Sequence, residues 1–165
     1  MPINIRPATL ADLNTILVIF NHAIDHTTAV YSYDPYTPAM MVEWFEEKKE
    51  NNLPVYVSTA GDEITGFVTY GKFRMRPAYQ YTVEHSIYVH HNHRRKGIAK
   101  ALMPFIIEIA KQNKIHTLIG GIDAENEGSI LFHEQFGFNK VAHIKEAGYK
   151  FDRWLDLVFM QLILK

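Results

Sequence analysis

The chain has no cysteine, which removes disulfides, thiolate nucleophiles and cysteine-ligated zinc together. It has no excess of either charge: 17 Lys and Arg stand against 18 Asp and Glu, and the basic residues are not gathered into long runs. A nucleic-acid binder would normally carry a basic stripe, so that class is set aside. No apolar run approaches the length that crosses a bilayer, and Met1-Pro2-Ile3-Asn4-Ile5-Arg6 lacks the apolar stretch of a signal peptide. A cytoplasmic protein is the expectation. Internal repeats, low-complexity tracts and linkers are missing too, so residues 1–165 are expected to form one domain. What remains is 47% hydrophobic and 13% aromatic, a composition that supports a packed core.

The hydrophobic period changes along the chain. Ile3 to Arg6 alternates like a short strand that Pro7 ends. Thr9-Leu10-Ala11-Asp12 reads as a capping-box variant, and Leu10, Leu13, Leu17, Phe20 and Ile24 follow at helical spacing. Residues 28–37 are aromatic and loop-like. Thr37-Pro38 starts a second helix with Met41, Trp44 and Phe45 inward and Glu43, Glu46, Lys48 and Lys49 solvated. Val55 to Ser58 and Ile64 to Tyr70 read as strands joined by a turn at Gly61-Asp62-Glu63, and Thr82 to Val89 as a third. From Gly97 a helix is predicted to about Asn113, with Ile98, Leu102, Phe105, Ile106 and Ile109 inward and a kink at Pro104. His116 to Ile122 is a strand and Glu127 to Phe136 a short helix, with Gly137 as a left-handed cap. Strands over about 139–145 and 154–163 finish the chain. The fold class is α/β, a mixed, mostly antiparallel sheet flanked by helices.

The first chemical signal is the turn after the third strand. Arg94, Arg95, Lys96 and Gly97 lead into a helix beginning Ile98-Ala99-Lys100. A helix N-terminus offers unpaired N–H groups and partial positive charge, which suit a phosphate. Gly97 lets the backbone approach an anion, and the basic residues add charge at the same point. Alone, this pattern also fits a solvated turn.

With its context the pattern is more specific. Arg94-x-x-Gly97-x-Ala99 behind Ile87-Tyr88-Val89 resembles the cofactor-binding motif of the GNAT superfamily of N-acetyltransferases. Asn126-x-x-Ser129-x-x-x-His133-x-x-x-Gly137-Phe138 resembles its second cofactor-side motif. The resemblance implies a GNAT fold splayed between the strands at 82–89 and 116–122. It implies acetyl-CoA as cosubstrate, with Ile87, Tyr88, Val89, Arg94–Lys100, Asn126 and Ser129 at the cofactor. Thr82 to Val89 and Gly148-Tyr149-Lys150-Phe151-x-Arg153-Trp154-x-Asp156 are similar to the phosphinothricin and methionine sulfoximine acetyltransferase subgroup. That narrower resemblance implies acetylation of the α-amine of a small amino acid or analogue, and a homodimer with the final strands or the 71–81 loop near its interface.

The residues support the same chemistry. On the third strand Thr82, Glu84, Ser86 and Tyr88 share one face, and Val83, His85, Ile87 and Val89 take the other. A carboxylate beside apolar surface has a raised pKa and accepts protons well, which makes Glu84 the candidate general base. Its competing reading is an ion pair with Arg74 or Arg76. The forked guanidinium of Arg74, and secondarily Arg76, suits an amino-acid carboxylate or phosphinate. The narrower resemblance places substrate contacts at this loop and implies a substrate set of Arg74, Met75, Arg76, Glu84, His85 and Ser86. Phe73 and Tyr31 read as core packing before acceptor walls. The resemblance places a tyrosine acid where this chain has His133, either a proton donor to the leaving thiolate or a cofactor contact.

Other histidines are discounted. His90, His91 and His93 are too close in sequence to converge on a metal, and read as solvated or phosphate-facing. His22 and His26 favour the dipole at the end of the first helix. No metal is expected. The rival functions are an acetyltransferase for protein N-termini or another amine, and a CoA-binding module without catalysis.

Overall fold

The computed structural model describes residues 2–165. Its strands are β1 (Asn4–Pro7), β2 (Val55–Ala60), β3 (Glu63–Lys72), β4 (Thr82–Val89), β5 (Thr117–Asp123), β6 (Asn139–Lys150) and β7 (Arg153–Ile163). The helices are α1 (Leu13–His26), α2 (Pro38–Glu50), α3 (Ile98–Gln112) and α4 (Glu127–Glu134). The strands form one sheet in the order β1-β2-β3-β4-β5-β7-β6. Every neighbouring pair is antiparallel except β4–β5.

The two sheet faces are covered differently. Leu13, Ile16 and Ile19 of α1 and Met41 and Phe45 of α2 pack with Val57, Ile64 and Phe67 on one face. Leu102, Met103, Ile106 and Ala110 of α3 pack with Val68, Leu118, Val158, Met160 and Phe138 on the other. Along β7, Val158 and Met160 are buried, while the alternate residues Leu157, Phe159 and Gln161 are half-exposed and Ile163 exposed. No helix seals that end of the sheet's α1/α2 face.

Local signals account for the boundaries. The Asp12 carboxylate accepts from the Thr9 N–H at 2.7 Å and from the Thr9 hydroxyl at 3.0 Å, and it receives a two-bond fork from Arg6 at 2.7 and 2.9 Å. Residues Leu10–Asp12 form a 3-10 turn before α1, which leaves Leu10 exposed and rotates the buried face toward Ile16, Ile19 and Ala23. The Thr37 hydroxyl caps α2 by accepting from the Met40 N–H at 3.2 Å. Lys48 departs from the solvated face expected of it. Its ammonium turns inward to donate to the Tyr70 carbonyl at 2.8 Å, and burial lowers its pKa to about 8.

Three further expectations are corrected. On α3 the buried stripe is Leu102, Met103, Ile106 and Ala110, whereas Phe105 and Ile109 are half-buried and Phe105 packs edge-on to Tyr56 at 4.8 Å. Pro104 lies on the exposed side of a helix that runs continuously through it. The last two strands are longer than their alternation shows: β6 and β7 meet at a tight turn with Phe151 and Asp152 both left-handed, at φ 53 and 57. Register shifts between Ile144 and Gly148 interrupt the alternation and hide the pairing.

The sheet parts where the site lies. β4 and β5 pair in parallel from Thr82↔Thr117 to Glu84↔Ile119, and no further. The His90 N–H bonds Thr65 on β3, while the Thr117 N–H bonds Tyr81 on the other side. Backbone groups alternate sides along a strand, so odd-numbered residues of β4 aim theirs at β5. Beyond Glu84, Ile87 and Val89 therefore present unpaired backbone N–H groups to the gap.

Candidate active site

The gap opens a cleft of about 190 Å³ lined by both strands, α4, Ala99 at the start of α3 and the loop after α1. Of the residues singled out in the sequence, His85 to Val89, Ala99, Asn126, Ser129 and His133 line it. Thr28, Ala29, Gly120, Gly121, Ile122, Asp123 and Phe132 line it too, and sequence reasoning missed them. The signal for β5 was available: two adjacent glycines inside a strand mark a place where something comes close.

At one end, reached through Ala99, stands the turn into α3. Gly97 is left-handed at φ 79 and caps α3, with open space around it, so backbone conformation rather than crowding demands glycine. Arg95 is left-handed as well, at φ 62. The first helical bond of α3 runs from the Ala101 N–H to the Gly97 carbonyl, which leaves the N–H groups of Ile98, Ala99 and Lys100 without helical partners. Arg94, Arg95 and Lys96 are exposed around them. The Asn126 side chain caps α4 by accepting from the Ser129 N–H at 3.1 Å, and its amide donor is left for the cleft.

Glu84 stands just outside the lining, behind Gly121 of β5. Its Oε1 lies 2.9 Å from where a Cβ on Gly121 would sit, so the missing side chain in β5 makes room for the carboxylate. Glu84 makes no ion pair among the described residues, with Arg74 and Arg76 or otherwise. Burial alone raises its pKa. Phe159 lies beside the same Gly121 position and packs against Phe73 at 5.9 Å, so Phe73 faces the Glu84 side of the sheet.

The arginine loop is placed elsewhere. Arg74, Met75 and Arg76 are exposed and border a separate hollow with Tyr70, Gln80 and Asn113. Arg74 lies over the Phe73 ring at 5.4 Å rather than at Glu84. The cause is β3, which runs on to Lys72 and carries the loop outward. Within one chain these three residues do not meet the cleft. His85 lines the cleft from the α4 side, where its ring is buried against Phe138 and His133 on the opposite face of β4 from Glu84.

His85 and His133 form a buried pair with Nε2 atoms 3.0 Å apart, both packed over Gly120. The Nδ1 of His133 sits 2.7 Å from the Ser129 carbonyl, which can only accept, so that nitrogen carries the proton. In the neutral pair the His133 Nε2 then accepts from His85, and the His85 Nδ1 is bare, buried and without a partner. Burial lowers both pKa values; His85, which His133 depresses further against a small opposing contribution from the Ile119 backbone, falls to about 3. His93 is not solvated either: it is buried, with its Nε2 3.0 Å from a Glu63 oxygen.

The loop after α1, which meets the end of β5 at the cleft, is held from a distance. The buried Lys150 ammonium donates to the carbonyls of Ile24, Thr27 and Val30 at 2.6, 2.8 and 2.7 Å. Thr28 donates to Asp123 at 2.6 Å, and the Tyr31 ring lies against Gly148, where a Cβ would meet it at 2.7 Å. Tyr31 is therefore neither core nor free surface; it is the contact between this loop and the β6–β7 hairpin.

Comparison with known proteins agrees with this geometry. A family model for the acetyltransferase (GNAT) domain matches residues 5–159. A methionine sulfoximine/methionine sulfone acetyltransferase of Salmonella typhimurium is 38% identical over 97% of this chain and 94% of its own. The crystal structure of an N-acetyltransferase from Staphylococcus aureus superposes with a TM-score of 0.98 at 48% identity, covering all of both chains. A phosphinothricin acetyltransferase from Sinorhizobium meliloti, solved with acetyl-CoA, gives 0.95 at 32% identity over 99% of this chain and 89% of that one. The chain belongs to the GNAT acetyltransferase family. It is an acetyl-CoA-dependent N-acetyltransferase.

Proposed function

We propose that the acceptor is the α-amine of a small amino acid or analogue, of the kind represented by phosphinothricin, methionine sulfoximine and methionine sulfone, and that Glu84 is its general base. One observation carries the reading: a cleft through the sheet meets the start of α3 at Ala99, and behind its Gly121 wall stands an unpaired, half-buried carboxylate. The amine arrives protonated at neutral pH, and Glu84, directly or through a water, removes the proton. The free amine then attacks the thioester carbonyl, and the N–H groups of Ile87 and Val89 offer donors to the oxyanion. As the C–S bond breaks and the thiolate leaves, the acylated nitrogen gives its second proton to water, with no covalent enzyme intermediate.

His133 serves as a cofactor-side wall rather than the acid. Its Nε2 lone pair is committed to His85, so in the neutral pair it holds no proton for the thiolate, and water supplies one. Arg74 and Arg76 reach an amino-acid carboxylate only if the loop moves or a second copy presents them. A homodimer fits that need, because Tyr81, Val141, Ile144, Trp154 and Ile163 leave apolar surface exposed near the loop and the last strands. Acetylation of toxic analogues would make the activity a detoxification. Among the described residues no helix is long and apolar enough to cross a membrane.

The test is thiol release from acetyl-CoA with free amino acids, the three analogues and peptides. Turnover on free amino acids is expected, and turnover on peptides alone would replace the reading with a protein N-terminal one. The Glu84→Gln variant is expected to bind acetyl-CoA normally and lose at least about 10²-fold in kcat at pH 7. Normal turnover in that variant would remove Glu84 from the mechanism.

A further inference from the structure

Four imidazoles stand ring to ring between the end of α1 and the turn that leads into Arg94. His26 and His22 are 4.6 Å apart by ring centroid, His22 stacks on His91 at 4.5 Å and 17°, and His91 stacks on His90 at 4.4 Å and 23°. His93 touches His90 edge-on but has its own carboxylate in Glu63. Among the described residues no carboxylate pairs with the other four. Asp25, on the same helix, acts on Lys150 instead. The next charged neighbour is a cation, Arg94. Together with His22 it lines a hollow between α1 and the end of β4, and Ala29 and Ile87 to Val89 belong to both this hollow and the cleft.

Two members of the column, His22 and His90, resist protonation. Burial first, then His91, His26, Arg94 and His90, hold His22 below the ordinary histidine range. Burial, His91 and His93 do the same to His90, against Glu63. Stacked bases around a fixed cation, with Glu63, the carboxylate that acts on His90, already engaged by His93, form a site that an anion would complete: each repulsion that opposes the proton is offset once negative charge enters.

We propose that the column is a proton-loaded clamp for the phosphate groups of the cofactor, in which His22, beside Arg94 and backed by the stacked ring of His91, holds phosphate in the hollow next to α1 and takes up a proton as it binds. This rests on the reading of residues 94–99 as the phosphate turn, and adds a second wall to it together with a dependence on pH. One proton taken up makes affinity fall up to about tenfold per pH unit across the histidine range.

The measurement is calorimetric titration with 3′-dephospho-CoA, whose pyrophosphate does not titrate near neutrality, at pH 6.5 in two buffers of different ionisation enthalpy. Uptake of about half to one proton per ligand is expected, with none for pantetheine, which lacks phosphate. A His22→Gln/His91→Gln variant is expected to lose the uptake and to bind about tenfold more weakly at pH 6, with little change at pH 8.5. His91→Gln alone, exposed on the turn, carries the test if the double variant does not fold. Dephospho-CoA binding without proton uptake, or uptake that persists in the variant, overturns the proposal and leaves the phosphate turn standing. Failure of dephospho-CoA and CoA alike to bind at any pH overturns the phosphate turn and the clamp with it.

Discussion

Replacing Gly121 with alanine separates the chemistry of the cleft from its stability. The new Cβ would stand 2.9 Å from Glu84 Oε1, closer than such atoms pack, but at an ordinary 3.6 Å from Leu157 Cδ1 and Phe159 Cε1. Gly121 has no positive φ, so alanine adopts its backbone without strain. A glycine inside a strand costs roughly 0.5–1 kcal/mol against alanine, so the fold should gain about that much. For a chain of this size that is a rise in Tm of about 1–4 °C. The carboxylate has to swing off its position, and a displacement near an ångström at a reacting centre costs on the order of 10²-fold in rate. Expected together are a lower kcat, a KM for acetyl-CoA that moves far less, and an unchanged or higher Tm. The assays are thiol release and thermal denaturation on the same preparations. Full kcat in Gly121→Ala would refute the placement of the base, and a fall in Tm matching the loss of activity would refute the separation.

Lys150→Met leaves three carbonyls without a charged donor, and since water reaches part of the loop the cost is about 3 kcal/mol rather than three full penalties. That is a fall in Tm of about 6–12 °C, with a raised acceptor KM and unchanged cofactor affinity, read by denaturation and initial rates. For Asp12, the Arg6 fork holds the carboxylate pKa down to about 2, with burial opposing and Thr9 assisting. The folded value lies below the unfolded one, so about 2 kcal/mol of stability is present above about pH 4 and is lost as pH falls through about 2. Asp12→Asn should cost that amount at pH 7 and only about 0.4 kcal/mol near pH 2, measured by denaturant titration at both. Glu84 has the opposite sign. Its folded pKa is raised, so the native state keeps the proton to higher pH than the unfolded chain, and stability falls as pH rises between the two values. Glu84→Gln should therefore be more stable than the parent at pH 8 while losing turnover.

Much of the cofactor end was legible because its causes are local. A left-handed Gly97, a run of basic residues and a helix start are adjacent in sequence, and strand parity alone put Glu84 and His85 on opposite faces. The acceptor end was less legible because its causes are distant. Lys150 reaches carbonyls 120 to 126 residues away, and nothing in its own neighbourhood distinguishes it from a solvated lysine. The protonation of His133 follows from one carbonyl on its own helix, but its partner His85 lies 48 residues earlier. The position of the arginine loop outside the cleft of its own chain was hidden because alternation near Tyr70 and Gly71 does not show how far β3 continues.

The short seam between β4 and β5 also makes the sheet a reporter of its own occupancy. Even-numbered amides of β4 are tied to β3, while those of Ile87 and Val89 face the gap. In deuterated water the first set exchanges only when the sheet opens, but the second is bare in the empty protein. A ligand that occupies the gap supplies the partners that the missing length of strand does not. Isotope exchange along one strand then separates loaded from empty molecules residue by residue, with its own protected neighbours as the internal standard.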